Sequence, residues 1–193
     1  PSSPMPTCRL CSDKPAAMSH PTPRLVFPDT TVLINFGLID EMALLGRLVE
    51  GKAAWCATVA GECDDQADKW QLPQMRSAHA IFGEPLRLAT GAEFAEFRSH
   101  QQFFRQASSN PAATHAGESE MLAILGTRCI TSVVITDDGA VAVRVASLGM
   151  GSTIQVATSW QLLRIALWNG HLTRARIWEI RRILLGRGRP PPP

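Results

Sequence analysis

The chain has 193 residues, of which 45% are hydrophobic and 19% charged, a globular composition that excludes wholesale disorder. Nineteen Lys and Arg against seventeen Asp and Glu leave a net charge of +2, too balanced to indicate a nucleic-acid partner by itself. No apolar run reaches the roughly 18 residues that a membrane-spanning helix needs, so no membrane segment is expected. Five irregularly spaced cysteines favour the cytoplasm.

The distribution of prolines predicts three parts. Residues 1–24 contain six prolines and no apolar periodicity, so we expect a disordered leader there. Residues 186–193 combine Arg and Gly with four prolines, which predicts a disordered tail. The intervening residues 25–185 are expected to form one domain.

The first half of this domain shows both strand and helix patterns. Residues 25–27 are a short apolar run, typical of a buried strand, that stops at Pro28-Asp29. Apolar residues at steps of three and four predict a core-facing helix over 30–48, and residues 53–58 predict a second strand. Thr90 and Glu93 have the spacing of a capping box at the start of a further helix.

The second half alternates strands and helices. The patterns predict helices beginning near Gly117, over 141–148, over 160–168 with Ser159 as its cap, and over 177–184, and strands over 130–135 and 152–156. This alternation predicts an α/β fold, a three-layer α/β/α sandwich with a mainly parallel central sheet.

Acidic residues directly follow predicted strands or begin predicted helices. They are Asp29, Glu62, Glu118, Glu120, Asp137 and Asp138. Parallel strands would bring these positions to one edge of the sheet. Two carboxylates about 5 Å apart repel by ~3 kcal/mol at an effective dielectric near 20, and a divalent cation such as Mg²⁺ or Mn²⁺ relieves that repulsion. For each acid alone, a helix cap or a turn explains the position equally well.

Taken in order, these segments resemble the PIN domain family of metal-dependent ribonucleases, which includes the VapC-type toxins. The resemblance covers about residues 25–185. The segments similar to the family's motifs are 28–36, 59–63, the helix start Gly117-Glu118-Ser119-Glu120, the strand end 134–138, and the closing turn and paired helices at 153–185. The Gly-Glu-x-Glu start is typical of one branch of the family, although residues 139–142 lack the Arg common in that branch.

The resemblance implies an endoribonuclease that hydrolyses RNA phosphodiester bonds with Mg²⁺ or Mn²⁺ as cofactor. It implies the toxin of a toxin–antitoxin pair, a homodimer, and an antitoxin protein as partner. Asp29 and Glu62 match two of the family's catalytic, metal-binding acids. Either Glu118 or Glu120 supplies the third, and the apolar stretch after these residues favours Glu120. Either Asp137 or Asp138 supplies the fourth, and the third position of Thr-x-Asp favours Asp138.

Neighbouring residues have more general roles. Thr30 and Thr136 are expected to hydrogen-bond the carboxylates or a phosphate, although each could equally be a helix cap. His115 is a weak candidate for a general base because it lies close to Gly117 in sequence. The sequence does not identify the substrate-binding residues. The alternative function is a non-catalytic PIN-like module that binds RNA or protein. Such a module would be expected to lack one of the four acids, and all four positions are filled in this sequence.

Overall fold

The computed structural model describes residues 24–107 and 115–190. Their sheet has three parallel strands in the order β1 (Leu25–Pro28), β2 (Ser132–Ile135) and β3 (Ile154–Ala157). On the side of β1 away from β2, Val26 forms an isolated parallel bridge with Ala53. The carboxyl ends of β1 and β2 therefore lie side by side. Asp29 follows the first of these ends, and Asp137 and Asp138 follow the second.

Helices surround this sheet. They are α1 (Thr30–Leu38), α2 (Met42–Val49), α3 (Ala57–Lys69), α4 (Ala78–Phe82), α5 (Gly91–Ala107), α6 (Ala116–Thr127), α7 (Gly139–Ser147), α8 (Ser159–Trp168) and α9 (Arg174–Gly186), with short 3₁₀ turns at Pro73–Ser77 and Met150–Ser152. The helices α1 and α2 pack on α9 and α8, whereas α5 packs on α6 and α7. From β1 the chain passes through α1 and α2 to the bridge at Ala53, and it returns through α3–α6 to β2. Right-handed connections in these two opposite directions are expected to put the two groups of helices on opposite faces of the sheet. The class is α/β, as predicted, and the packing is consistent with a sandwich.

Strong local signals predicted several elements correctly. The strand at 25–27 and the helix that begins near Gly117 are both present. The capping box at the start of α5 is also confirmed, because Thr90 Oγ1 accepts from the Glu93 N–H at 3.2 Å and Glu93 Oε2 accepts from the Thr90 N–H at 3.0 Å. Arg128 Nε donates to the other oxygen of Glu93 at 2.7 Å, which ties this cap to the end of α6.

The prediction of a single helix over 30–48 is wrong. It is two helices, because Asp40 adopts a left-handed backbone with φ of 56° and the chain turns between α1 and α2. Apolar periodicity continues across this turn because both helices bury one face against the same core. Spacing alone therefore could not detect the break.

The prediction of a strand over 53–58 is also wrong. Only isolated bridges form there, and α3 already begins at Ala57. The first turn of α3 finds an acceptor in the Glu120 carboxylate, whose Oε2 receives the Thr58 N–H at 2.7 Å. Free N–H groups at a helix start need such partners, so a distant side chain overrides the local strand pattern.

Both ends of the last helical pair also differ from prediction. The cap of α8 is Thr158, which forms a capping box with Gln161, instead of Ser159. A tail was expected from residue 186, but Gly186 is the last residue of α9 and Arg189 hydrogen-bonds Asn35. Residues 191–193 lie outside the described residues. The predicted leader lies outside the described residues, apart from Arg24. Across the described ranges, no helix combines the length and apolar character needed to cross a membrane.

Candidate metal centre

Asp29 connects the end of β1 to the end of β2. Its N–H donates to the Ile135 carbonyl at 2.8 Å, and its backbone occupies the N-cap position of α1. Its side chain does not cap that helix. The buried carboxylate instead accepts the hydroxyls of Thr31 at 2.6 Å and Thr136 at 3.1 Å. Helix capping therefore does not account for this acid, and the threonines hold its carboxylate in one orientation.

Glu62 approaches the same region from α3, which packs on α1. Its Oε2 accepts the Thr30 hydroxyl at 2.5 Å, in a contact between neighbouring helices. Gly117, in the first turn of α6, lies against the same carboxylate. A Cβ at Gly117 would lie 3.3 Å from Glu62 Oε2 and 3.0 Å from Val59 Cγ2. The absence of a side chain at Gly117 therefore lets α6 begin beside Glu62.

Glu118 and His115 lie at the start of α6. The His115 backbone is left-handed, with φ of 45°, and its ring stacks on Phe104 with ring centroids 5.5 Å apart. Its Nδ1 is 3.7 Å from Glu118 Oε1 and 3.8 Å from Asp138 Oδ2. These three side chains offer ligand atoms that all lie within 4.8 Å of one another. They form a candidate cation-binding group.

The two adjacent aspartates after β2 have different surroundings. Asp138 caps α7, because its Oδ1 accepts the Ala140 N–H at 2.8 Å, while its Oδ2 faces His115. Asp137 is directed towards the start of α8. Its Oδ1 accepts the Ser159 N–H at 2.9 Å, and its Oδ2 accepts Ser159 Oγ at 2.5 Å and Asn35 Nδ2 at 2.7 Å. Both oxygens of Asp137 are therefore engaged by protein donors.

The two glutamates of the Gly-Glu-x-Glu start also differ. The Glu120 carboxylate is buried and accepts the Thr58 N–H at the start of α3. The Glu120 charge also acts on Glu62, whereas Glu118 lies among three of the other acids. The charges of Asp29, Glu62 and Asp138 all act on it.

Burial and mutual repulsion disfavour the charged forms of these carboxylates. Burial raises the pKa of Glu118 to about 8, and the charges of Asp29, Glu62 and Asp138 add to the rise. Burial also raises the pKa of Asp29 and of Glu62, although the hydroxyls that they accept act in the opposite direction. Without a counter-cation, this edge of the sheet therefore holds several carboxylates at an energetic cost.

One basic residue near the acids, Arg189, belongs to the Arg-Gly segment that the sequence predicted to be a tail. Arg189 Nη1 donates to Asn35 Oδ1 at 3.1 Å, and Asn35 in turn donates to Asp137. Arg189 and Asn35 are 154 positions apart, so no local pattern could connect them. The only sequence signal for His115 is its closeness to Gly117 in the chain.

Comparisons of the chain with protein-family models, with curated proteins and with solved structures gave no match. The PIN resemblance therefore stays a prediction, and any assignment of function depends on the geometry of the acids.

Proposed function

We propose that this protein is a metal-dependent endoribonuclease with a PIN-like fold, which hydrolyses RNA phosphodiester bonds at the acidic edge of its sheet. The observation that carries the proposal is the convergence of Asp29, Glu62, Glu118 and Asp138, which come from four separate segments of the chain: the N-caps of α1 and α7, and helices α3 and α6. Their order along the chain also agrees with the motif order that suggested the family.

The residues at this edge fit a hard divalent cation. Carboxylate oxygens are the ligands that Mg²⁺ and Mn²⁺ prefer, and His115 Nδ1 would add one nitrogen. Burial, with a smaller contribution from the neighbouring acids, raises the pKa of Asp29, Glu62 and Glu118, and a bound cation would favour their charged forms. We propose Asp29, Glu62, Glu118 and Asp138 as the cation-holding set.

Under this proposal, Glu118 takes the third place and Glu120 has a structural role. Asp138 takes the fourth place, and Asp137 connects the sheet edge to α8. Glu120 accepts the Thr58 N–H, and both oxygens of Asp137 accept protein donors, whereas Asp138 uses one oxygen as a helix cap and turns the other towards His115.

The chain's own groups orient the carboxylates. The Thr30 hydroxyl holds Glu62, and the hydroxyls of Thr31 and Thr136 hold Asp29. A cation bound among these acids supplies a Lewis acid that lowers the pKa of water and offsets charge on a phosphate. Orientation by hydroxyl groups limits the rearrangement that the carboxylates need when they bind a cation.

The resemblance extends the proposal to a cytoplasmic toxin of a toxin–antitoxin pair, with an antitoxin protein as its partner. It also implies a homodimer. The exposed apolar side chains of Ile165 and Trp168 on α8, and of Trp178 and Leu185 on α9, support such an association.

The experiment compares wild type with Asp29→Asn on a mixed tRNA and mRNA pool, with Mg²⁺ or Mn²⁺ and then with chelator. We expect metal-dependent cutting by wild type and a loss of at least about 100-fold in the variant, because removal of a charged ligand disrupts the centre. Asp40→Asn is the matched control and should cut like wild type. Asp40 is an exposed acid beyond the far end of α1, and asparagine tolerates its left-handed backbone.

Cutting that survives Asp29→Asn would contradict the proposal and point to another site or a contaminant. If no protein cuts, calorimetry with Mn²⁺ separates the remaining possibilities. If wild type binds Mn²⁺ and Asp29→Asn does not, the proposed metal centre stands and only the proposed RNA substrate is wrong. No Mn²⁺ binding at all would favour the non-catalytic binding module.

A further inference from the structure

The end of α9 is a tight turn that reverses the chain. Gly188 adopts a left-handed conformation with φ of 69°, its N–H donates to the Leu185 carbonyl at 3.0 Å, and the Arg189 N–H donates to the Leu184 carbonyl at 2.9 Å. These two bonds define a Schellman motif, in which glycine supplies the left-handed residue. The Gly-Arg-Gly-Arg sequence therefore ends the helix and fixes the position of the Arg189 backbone.

The turn brings the Arg189 side chain to the acidic edge of the sheet. Its Nη1 donates to Asn35 Oδ1 at 3.1 Å, and its guanidinium carbon lies 5.7 Å from the centre of the Trp70 ring. Asn35 is buried, and its amide donates to Asp137. Contacts on two sides thus locate the guanidinium beside the carboxylates.

Arg189 has more donors than its hydrogen bonds within residues 24–107 and 115–190 occupy. A guanidinium has five N–H donors, and within the described ranges Arg189 uses one of them in a hydrogen bond. Burial lowers the pKa of Arg189, and the carboxylates of Asp137 and Asp29 act against this. Arginine remains charged under such conditions and is well suited to bind phosphate oxygens with its remaining donors.

An RNA strand needs positive charge next to the acids. Its phosphates carry the same sign as the carboxylates at this edge, so a bound cation alone would have to offset both. Six arginines lie between positions 174 and 189, and among them Arg189 is held beside the acids by its contacts with Asn35 and Trp70.

We propose that Arg189 is a substrate-positioning residue, whose guanidinium binds a phosphate of the RNA strand next to the acidic centre. The inference rests on the proposed function, because it takes RNA as the ligand. Asn35 and Trp70 orient the guanidinium, and the turn at Gly188 directs it there.

The experiment measures binding of a short fluorescent single-stranded RNA by anisotropy at several salt concentrations. All proteins carry Asp29→Asn, so that the probe stays intact. We expect Arg189→Ala to weaken binding about fivefold or more, and to reduce the slope of log K against log salt by about 0.7, the value of one phosphate contact to a single strand. Arg189→Lys, which retains the charge, should restore the slope.

Arg187→Ala is the matched control, since Arg187 is exposed on the same turn, and we expect it to bind like its parent. Equal losses in Arg187→Ala and Arg189→Ala would overturn the inference in favour of general tail charge. Unchanged binding in Arg189→Ala would also overturn it, and tighter binding would identify Arg189 as a cover over the site. Binding that depends on Arg189 in a protein that never cuts RNA would preserve this inference and reject the nuclease.

Discussion

Hydrogen bonds from threonine hydroxyls fix the orientation of individual carboxylates at the acidic edge of the sheet. Thr30 donates to Glu62, while Thr31 and Thr136 donate to Asp29. The sequence predicted that Thr30 and Thr136 would either bind carboxylates or cap helices. In the structure both hydroxyls donate to carboxylates, and Thr136 Oγ1 also accepts the Asp138 N–H at 3.0 Å. One side chain thus connects two of the proposed ligands.

The two glutamates at the start of α6 should differ in their effect on Mn²⁺ affinity. We expect Glu118→Gln to weaken Mn²⁺ binding about tenfold or more, because it removes a charged oxygen ligand. Glu120→Gln should bind Mn²⁺ within about twofold of wild type, since an amide oxygen can still accept the Thr58 N–H. Calorimetry on both variants provides the measurement.

Glu120→Ala completes that comparison. It leaves the Thr58 N–H without its acceptor, and we expect a loss of about 1–3 kcal/mol in the free energy of unfolding, measured with urea. If Mn²⁺ affinity falls in Glu120→Gln and persists in Glu118→Gln, then Glu120 is the ligand, as the sequence pattern favoured.

The start of helix α6 explains why the two glutamates have different partners, Glu118 among Asp29, Glu62 and Asp138, and Glu120 beside Thr58 and within the influence of Glu62. Residues two positions apart on an α-helix point in nearly opposite directions, since each residue turns by about 100°. Glu118 therefore lies towards the sheet edge, whereas Glu120 lies towards the start of α3. Gly117 sets the distance between α6 and α3, because its Cα lies against Val59 and Glu62.

A methyl group at Gly117 should disturb this contact between the two helices. We expect Gly117→Ala to lower the melting temperature and to weaken Mn²⁺ binding about threefold or more, because the Glu62 carboxylate must shift. Gly91→Ala is the control, as Gly91 also begins a helix and a Cβ there would meet no atom within 4 Å. Unchanged Mn²⁺ binding in Gly117→Ala would show that the close approach does not position Glu62.

At the scale of the whole molecule, repulsion among the clustered carboxylates destabilises the fold locally, and burial in the hydrophobic core offsets that destabilisation. One continuous core joins the sheet to the helices on both faces, and it holds the carboxylates in place despite their repulsion. Folding energy from apolar burial can maintain such a cluster, because it greatly exceeds the repulsion between a few charges.

This cost should appear as pH-dependent stability when no metal is present. The folded pKa of Glu118, about 8, exceeds its ordinary value of 4.5, so the folded state binds more protons than the unfolded state between these values. The free energy of unfolding should therefore fall as pH rises through this window and level off above it. Asp29 and Glu62, whose pKa values are also raised, act in the same direction.

Glu118→Gln tests this expectation in urea unfolding with chelator. The variant should show a flatter pH profile and exceed wild type by about 1 kcal/mol or more at about pH 8.5, because one pKa unit corresponds to 1.36 kcal/mol. Asp40→Asn is again the control and should follow the wild-type profile. Parallel profiles for Glu118→Gln and wild type would show that Glu118 is not the group that titrates.

The sequence by itself determined the features that depend on short spacing. Apolar runs located strands β1 and β2, the pair Thr90 and Glu93 marked the cap of α5, and Asp29, Asp137 and Asp138 follow the carboxyl ends of strands. Glu62, expected just past a strand, lies instead within α3. These signals work because a strand, a cap and a sheet edge are each defined by a few consecutive residues and by the parallel arrangement.

Only the tertiary structure decided which neighbouring acid faces which partner. Asp137 and Asp138, like Glu118 and Glu120, are chemically equivalent in the sequence, and their roles diverge once α8 and α3 supply different N–H donors. The helix start at Ala57 and the approach of Arg189 to Asn35 also depend on contacts between distant segments. Those contacts form only when the elements pack, because the donors and acceptors that decide them lie far apart along the chain.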